Sequence, residues 1–352
     1  MPEPDIIVYV PQMLSGLKVV GINVGKYLES IGYKVEVTSD PPMDRIFVFK
    51  QGDQVIIRRV PAKRKGIPVF MSWHVAPFVC EALYAIHAPK ISWMPFLEGY
   101  PTIEPNHKEI VHMRHPTIIA PTKFVAEKLE EIGLYYNTII YPGINPPSKY
   151  EIEGWRQHYR RLWKDYFVFL YIAYNQPRKG LDKLVKAAQI LSQKTRRKFL
   201  VYIFTNSFEL PEGTKNVVLD LRFGTLTKEE IHGMIAASDC YVHASMSEGL
   251  GVPIVEAMWW GKPIICVDAK PMNELVKPTF GKLVPYYKVE LQEYIGIMVF
   301  ENKVYRPEDL AEAMKEVLED KHWVAEASAK AKEEARKYHY TVSLRGIEKY
   351  VF

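Results

Sequence analysis

Two glutamates in the segment 243–261, HASMSEGLGVPIVEAMWWG, have a spacing that suits the recognition of a sugar joined to a phosphate. Glu248 and Glu256 are separated by seven residues, and the loop after the first contains two glycines. Small residues after a strand let backbone N–H groups approach a ligand, and the start of the next helix attracts anions. A carboxylate in such a loop repels phosphate but accepts two hydrogen bonds from a vicinal diol. A tight turn with two solvated glutamates is the alternative that the spacing alone leaves open.

A pair of cations, Arg178 and Lys179, forms a second candidate site in the segment NQPRKG at 175–180. The segment follows a predicted strand and precedes a predicted helix. Two cations at the start of a helix oppose the helix dipole unless an anion binds beside them. The pair therefore indicates an anionic ligand, and a solvated basic turn is the alternative interpretation.

The segment 245–263 has the pattern S-x-S-E-G-x-G-x-P-x-x-E-A-M-x-x-G-K-P and resembles the E-x7-E signature of retaining GT-B glycosyltransferases, family 4 (group 1). The resemblance implies that Glu248 contacts hydroxyls of a donor sugar and that Glu256 contacts the ribose of its nucleotide. It also implies that backbone N–H groups around Gly249, Leu250 and Gly251 meet the donor sugar or phosphate.

The basic pair resembles the same family's R-x(4–5)-K-G element, which implies that Lys179 holds the donor diphosphate and stabilises the leaving group. The family arginine would stand some six residues earlier, where this chain has Ala173. Two outcomes are open: Arg178 supplies the missing charge, or the diphosphate is held more weakly.

Five residues in the N-terminal half complete the candidate site. Ser15 and Gly16 lie in a segment that resembles the family's N-terminal glycine loop, which implies that they face the donor phosphates. The strand-like segment IPVFMSWH ends in Trp73 and His74, and the carboxyl end of a strand in an open α/β sheet lies on the ligand side. The resemblance implies that His74 lies near the reacting sugar, and a packed or solvated histidine is the alternative. We expect Trp73 and Glu98 as acceptor contacts.

Short apolar runs alternate with helical patterns along the whole chain, which predicts an α/β protein with two doubly wound domains. Three prolines and one glycine fall within residues 142–147, and this composition indicates a linker. Buried strands are predicted at 6–10, 33–38, 46–49, 68–71, 117–120, 138–141, 167–173, 199–204, 217–221, 240–243 and 263–267. Helices are predicted at 17–31, 123–132, 154–164, 180–193, 227–237, 253–260, 307–319 and 322–337. Relative to the family, residues 286–304 resemble an insertion.

The resemblance implies a GT-B architecture of two Rossmann-like domains that face a cleft. Residues 1–150 are then an acceptor-binding domain and residues 151–335 a nucleotide-sugar-binding domain. Residues 336–352 are expected to form a C-terminal helix that packs back on the first domain.

Composition narrows the class of ligand. The 352 residues include 46 Lys and Arg against 41 Asp and Glu, so the net charge of +5 fits an anionic ligand without implying nucleic acid. Three cysteines without a CxxC motif favour a reducing, cytoplasmic location. A cluster of His107, His112 and His115 lacks an acid or cysteine to complete a metal site, and a solvated loop is favoured. Mixed aromatic and basic residues at 154–164 suit a peripheral contact on the inner face of a membrane. A solvated surface between the two domains explains them equally well.

The expected activity is metal-independent transfer of a sugar, with retention, from a UDP- or GDP-sugar to a hydroxyl of a glycan, lipid or protein acceptor, without a cofactor. A catalytically silent sugar-nucleotide binder is the alternative that Ala173 raises. Another GT-B enzyme, a phosphorylase or an epimerase, is the third interpretation.

Overall fold

The computed structural model describes residues 4–10, 16–39, 45–51, 54–60, 66–72, 90–101, 105–294 and 298–352. The chain divides into two compact units. The N-terminal unit comprises Met1–Gly143, Ile295–Met298 and Ser343–Phe352, and the C-terminal unit comprises Ile144–Tyr294 and Val299–Val342. Each unit is built on its own parallel sheet, so the prediction of two doubly wound domains is confirmed.

Within the ranges that the structure describes, six parallel strands form the sheet of the N-terminal unit. In spatial order they are β2 (Val35–Thr38), β1 (Ile6–Tyr9), β5 (Ile67–Ser72), β6 (Ser92–Pro95), β8 (Thr117–Ala120) and β9 (Thr138–Ile139). The apolar run of β1 is fully buried because the strand is paired on both sides, with β2 and with β5. The strand order changes direction between β1 and β5, and the loops that follow these two strands lie largely outside the described residues.

Three helices in the described part of this unit follow its strands along the chain, and the sequence predicts the first and the third. They are α1 (Gly16–Ser30), α2 (Pro105–Arg114) and α3 (Lys123–Glu131), and the short strand β7 (Gly99–Pro101) precedes α2. Gly21 of α1 is a packing residue, since a Cβ atom there would lie 2.2 Å from Cγ1 of Val10. The His cluster is also placed differently from the prediction, because His112 lies on α2, where its Nε2 is 3.1 Å from the carbonyl oxygen of Gly133.

Residues 46–49 form a strand, but the prediction that this strand belongs to the parallel sheet is wrong. β3 (Arg45–Gln51) pairs antiparallel with β4 (Gln54–Val60) in a separate two-stranded sheet. Gln51 is directly opposite Gln54, so only two residues connect the strands, and this is the loop length of a tight hairpin. A parallel crossover needs a dozen or more residues, which the intervening Gly-Asp pair excludes.

The C-terminal unit contains a second sheet of six parallel strands. In spatial order they are β12 (Val217–Asp220), β11 (Phe199–Phe204), β10 (Phe167–Ile172), β13 (Cys240–His243), β14 (Ile264–Val267) and β15 (Gly281–Val284). Counted within the sheet, this is the 3-2-1-4-5-6 order of the Rossmann fold, and the order reverses between β10 and β13. Both strands are flanked on each side by a neighbour, so their apolar runs are buried.

Eight helices accompany this sheet in the described residues. They are α4 (Lys149–Leu162), α5 (Leu181–Lys194), α6 (Lys228–Ala237), α7 (Val252–Trp259), α8 (Met272–Leu275), α9 (Pro307–Glu319), α10 (Lys321–Ala335) and α11 (Tyr340–Ser343), the last of which ends at the boundary of the unit. A further short helix, α12 (Glu348–Val351), belongs to the N-terminal unit. Helix α4 begins five residues before its predicted start because Ser148 and Glu151 form a capping box. None of the helices in the described ranges is long and apolar enough to span a bilayer.

The predicted insertion at 286–304 forms two neighbouring strands, β16 (Tyr286–Tyr294) and β17 (Met298–Tyr305). The side-chain amide of Asn302 donates a hydrogen bond to Oε1 of Gln292, 2.9 Å away, and links the two strands. Phe300 and Tyr305 point inward and are buried, whereas most of β16 is exposed. Among the described residues of the insertion, β17 therefore supplies the core side chains.

Candidate active site

The candidate residues of the C-terminal unit meet where its strand order reverses. Ligands of open α/β sheets bind outside the carboxyl ends of the strands at such a reversal. The segment 173–180 follows β10, and the segment 244–251 follows β13, so the two loops lie side by side at this edge. The backbone N–H of Met246 donates to the carbonyl oxygen of Arg178 at 2.8 Å and joins the loops directly.

Lys179 and Glu248 form an ion pair across the two loops. Nζ of Lys179 lies 2.5 Å from Oε1 of Glu248, and the two side chains are only 14% and 9% exposed. The backbone of Lys179 is held from below, because the hydroxyl of buried Tyr171 donates to its carbonyl oxygen at 2.7 Å. A cation and a carboxylate are therefore fixed in contact at the ligand edge of the sheet.

His243, the last residue of β13, contributes a third group to this pair. Its Nε2 lies 3.1 Å from Oε1 of Glu248, and the residue is 2% exposed. Burial alone would raise the pKa of the Glu248 carboxyl. The Lys179 ammonium, the hydrogen bond from His243 and the Arg178 guanidinium outweigh burial and hold that pKa well below its usual range. His243 is not among the site residues that the motifs predict, although a histidine at the carboxyl end of a buried strand is a sequence signal for a ligand-facing residue.

Arg178 is buried beneath the loop that carries Glu248. Its Nη1 donates to the carbonyl oxygen of Ser247 at 2.8 Å and lies 4.0 Å from Oε2 of Glu248. Its guanidinium carbon lies 4.8 Å from the centre of the Phe300 ring, a cation–π geometry. The side chain thus orders the loop and adds positive charge behind the carboxylate.

Strand β17 supports the same loop from the other side. The N–H of Lys303 donates to the carbonyl oxygen of Met246 at 2.9 Å. The hydroxyl of Tyr305 donates to the carbonyl oxygen of Ala244 at 2.8 Å. Lys303, within the segment that resembles an insertion, and Tyr305, directly after it, therefore hold the Glu248 loop in place. The sequence of this strand carries no motif from which that role could be read.

Glu256 lies on α7, which begins directly after the loop. Gly251 caps the helix with φ of 78°, a left-handed conformation that favours glycine. Leu250 is buried, so the loop folds back against the core. Oε1 of Glu256 lies 3.5 Å from Nε2 of His232 on α6. Burial raises the pKa of the Tyr241 hydroxyl between these elements, and the charges of both Glu256 and Glu248 raise it further.

Ala173 stands at the end of β10, where the resemblance places an arginine. It is 6% exposed, and its N–H donates to the carbonyl oxygen of Phe204 at 3.1 Å, which continues the strand pairing. Arg178 reaches the site from five residues further along the chain.

Two candidates of the N-terminal unit are described. Gly16 is the first residue of α1, and Glu98 is buried after the carboxyl end of β6. Ser15, Trp73 and His74 lie outside the described residues. In the ranges that the structure describes, no group of three or more His, Cys, Asp or Glu side chains is arranged to hold a metal ion.

Residues 155–338, just over half of the chain, match the sequence model of a family described as glycosyl transferases group 1. The chain belongs to the group 1 glycosyl transferases. The matched range contains both loops of the site, the cation pair and the two glutamates. This glycosyltransferase is accordingly an enzyme that transfers sugars.

Two relatives illustrate the range of this similarity. An uncharacterized glycosyltransferase of Sulfolobus islandicus rod-shaped virus 1 is 26% identical over 255 residues, which cover 68% of this chain and 75% of the viral protein. The O-antigen chain mannosyltransferase B of Escherichia coli is 30% identical over 128 residues, which cover 34% of this chain and 33% of that protein.

Solved structures show the fold of the glycosyltransferase over almost its whole length. Sucrose-phosphate synthase from Thermosynechococcus elongatus has a TM-score of 0.69 at 15% identity and covers 99% of this chain and 98% of its own. Anabaena HepE, solved in complex with UDP and glucose, has a TM-score of 0.65 at 15% identity, with 98% of both chains covered. The glycosyltransferase therefore has the GT-B fold, with its two Rossmann-like domains as the two units described above.

Proposed function

We propose that this glycosyltransferase moves a sugar from a nucleoside-diphosphate donor to an acceptor hydroxyl, with retention of the anomeric configuration. The observation that supports this proposal best is the Lys179–Glu248 pair at the strand-order reversal. It joins a cation, which suits a diphosphate, to a carboxylate, which suits sugar hydroxyls. The donor binds to the C-terminal unit. The acceptor binds to the N-terminal unit, to which Ser15, Gly16, Trp73, His74 and Glu98 belong.

The ammonium of Lys179 is the principal positive charge that stabilises the leaving diphosphate. As the bond between the sugar C1 and the diphosphate oxygen breaks, negative charge grows on the diphosphate, and a fixed ammonium stabilises that charge more than it stabilises the bound donor. Arg178 adds positive potential through the Glu248 loop and takes the place of the arginine that Ala173 replaces. The backbone N–H groups of Gly249, Leu250 and Gly251 complete the anion site at the start of α7.

Glu248 and Glu256 recognise hydroxyl groups of the donor. Because the pKa of Glu248 lies well below its usual range, the group is an acceptor only, and sugar hydroxyls donate to it. The new bond forms between the acceptor oxygen and C1 on the face that the diphosphate leaves. The acceptor proton passes to an oxygen of the departing diphosphate, so neither carboxylate acts as a nucleophile in this scheme.

A panel of nucleotide sugars tests the donor class. UDP-glucose, UDP-N-acetylglucosamine, GDP-mannose and NAD are added separately, and thermal shift and release of free nucleoside diphosphate are recorded. A shift with one sugar nucleotide, with no shift for NAD, supports the proposal. HepE was solved with UDP, but the base that this enzyme prefers is an outcome of the panel. No response to any sugar nucleotide would contradict it.

Lys179→Ala tests the leaving-group role. We expect it to lower kcat by at least ~100-fold, the scale of losing one group that stabilises transition-state charge, and to weaken nucleoside diphosphate binding. Lys186→Ala, at an exposed position of α5, is a matched control that leaves both unchanged. Unchanged kcat and affinity in Lys179→Ala would show that the diphosphate binds elsewhere.

The retaining outcome and metal independence have their own measurements. The anomeric configuration of the product is read by NMR, and an inverted product would contradict the front-face scheme. Because Lys179 and the start of α7 supply positive charge, we expect turnover to survive dialysis against EDTA. A loss that Mg²⁺ or Mn²⁺ restores would show that a metal shares the charge.

Peripheral membrane contact is proposed for α4. Exposed side chains on and just beyond this helix combine basic groups with apolar ones, including Arg160, Arg161, Leu162 and Tyr166. Such a mixture suits the interface of an anionic bilayer. Co-sedimentation with vesicles containing phosphatidylglycerol, compared with pure phosphatidylcholine, measures it, and equal recovery with both would remove the proposal. If the enzyme sediments preferentially with the vesicles that contain phosphatidylglycerol, we expect the acceptor to be a lipid-linked glycan.

A further inference from the structure

A buried histidine lies behind the second carboxylate of the site. His232, on α6, is 2% exposed, and its Nε2 faces Oε1 of Glu256 at 3.5 Å. The indole N–H of Trp260 donates to Nδ1 of the same ring at 2.8 Å. Glu256 and Trp260 are four residues apart at the end of α7, so one face of this helix contacts both nitrogens of a single imidazole.

The contact with Trp260 determines which ring nitrogen of His232 carries the proton. An indole N–H is a donor only, so Nδ1 must be the acceptor in this bond. A neutral imidazole whose Nδ1 accepts has its proton on Nε2. That proton points toward Glu256, which is the one partner of Nε2 that the structure records within its described ranges.

The separation of 3.5 Å exceeds the roughly 2.7–3.2 Å of an ordinary N–H···O hydrogen bond. The Glu256 side chain is 22% exposed and has three rotatable bonds, so a small rotation closes the gap. His232 has no such freedom, because its ring is enclosed and fixed by Trp260. The His232 ring is rigid and the Glu256 carboxylate can adjust to it. This is the arrangement expected if His232 orients Glu256.

We propose that His232 is a positioning residue for Glu256, and that Trp260 sets its tautomer. The Nε2–H holds one carboxylate oxygen, so the other oxygen faces outward to accept hydrogen bonds from a vicinal diol of the donor, which we assign to the ribose. This inference rests on the proposed function. It extends an arrangement already seen at Glu248, since His243 stands behind that carboxylate in the same way.

The energetic role is pre-organisation. A free glutamate side chain on a helix surface loses rotamer freedom when it binds a ligand, and this cost is avoided when another residue already holds it. A diol that binds Glu256 then gains affinity through His232 without contacting it. A histidine that merely fills the core would affect stability and all ligands alike.

The test compares ligands with and without the diol. UDP or GDP, whichever the wild-type enzyme binds, is titrated beside its 2′,3′-dideoxy form into wild type, His232→Phe, His232→Gln and Trp260→Phe. We expect His232→Phe to weaken binding of the ribonucleotide by ~10-fold, the scale of one hydrogen bond to a charged group, and binding of the dideoxy form by less than ~2-fold. His232→Gln retains an N–H donor and is expected to restore part of the difference.

Trp260→Phe keeps the histidine but removes the hydrogen bond that keeps its proton on Nε2. We expect this variant to prefer the diol less than wild type does and more than His232→Phe does. His322→Gln, on an exposed ring of α10, is the matched control and leaves both affinities unchanged. The inference would be overturned if the preference for the diol persisted undiminished in both His232 variants and in Trp260→Phe. The proposed function would survive that result. If the wild-type enzyme bound neither nucleotide, the proposed function would fail and the inference with it.

Discussion

The Glu248 carboxylate is almost fully withdrawn from water, and its neighbours keep it ionised. Burial of a carboxylate without partners would favour the neutral acid. Here the ammonium of Lys179, Nε2 of His243 and the guanidinium of Arg178 all lie within 4.0 Å of its oxygens. The ionised carboxylate therefore only accepts hydrogen bonds. It suits a sugar because the sugar hydroxyls can donate to it.

His243→Leu separates the contribution of the histidine from that of the lysine. Leucine fills similar space beside the Tyr171 and Tyr241 rings but cannot donate to Glu248. We expect kcat/KM for the sugar nucleotide to fall by ~10-fold, as for one hydrogen bond to a charged group. Affinity for the nucleoside diphosphate alone is expected to change by less than ~2-fold, because Lys179 remains. An equal loss for both ligands would indicate a role in folding instead.

At the scale of elements, the site depends on how closely the two loops approach each other. Gly180 ends the short helical turn Pro177–Lys179 with φ of 64° and begins α5. A Cβ atom on this residue would lie 2.5 Å from the carbonyl oxygen of Ala244 and 3.0 Å from the Tyr305 hydroxyl. Both of these atoms belong to the framework of the Glu248 loop, so a side chain at this position displaces the loop itself.

Gly180→Ala is therefore expected to lower both stability and turnover. Alanine in a left-handed conformation costs about 1 kcal/mol, and the contact with a backbone oxygen adds to that cost. Gly154→Ala is the matched control, since Gly154 is helical within α4 and has open space around its Cβ position. The control is expected to gain ~0.5–1 kcal/mol in unfolding free energy from the helix propensity of alanine. Urea unfolding and steady-state kinetics measure both variants, and equal effects would show that the loop tolerates the added methyl group.

The sequence predicts the strands and helices of the C-terminal unit better than it predicts the contacts between them. Apolar runs between glycines and prolines define β10 and β13, and the E-x7-E spacing identifies Glu248 as a residue that follows one of them. His243 obeys the same strand-end rule that selects His74, so its signal is present in the sequence. The partners of Phe300 are not readable in this way, because a buried aromatic residue in a strand does not reveal which loop it supports. The error at β3 has a local cause, since an apolar run alone does not distinguish a hairpin strand from a parallel one.

Over the whole molecule, the net charge of +5 says less than the placement of a few buried charges. Arg178 and Glu248 are buried in the site, whereas Lys262 is buried away from it. The Lys262 ammonium donates to the carbonyl oxygens of Ala236 and Ser238, each 2.8 Å away, at the carboxyl end of α6. It thereby satisfies carbonyls that the helix leaves without partners and lies at the negative end of the helix dipole.

Lys262 makes the stability of the enzyme depend on alkaline pH in a direction that can be measured. Burial lowers the pKa of its ammonium from 10.5 to about 8, and the charge of Arg160 contributes to the shift. Below pH 8 the folded and unfolded chains are both protonated at this residue. Between pH 8 and 10.5 the unfolded chain binds more protons than the folded one, so this residue makes the unfolding free energy rise with pH, by on the order of 3 kcal/mol in total.

Urea unfolding of wild type and Lys262→Met at several pH values isolates this effect, because the cysteines and tyrosines titrate alike in both proteins and cancel in the difference. We expect the unfolding free energy of wild type minus that of the variant to be constant from pH 6 to 7 and to increase from pH 8 to 10.5. Lys215→Met, which removes an exposed lysine of the same unit, is the matched control for the loss of a lysine side chain. A difference for Lys262→Met that stayed flat or decreased over the alkaline range would mean that the folded protein keeps this ammonium charged, and that the two carbonyls of α6 compensate fully for its removal from water.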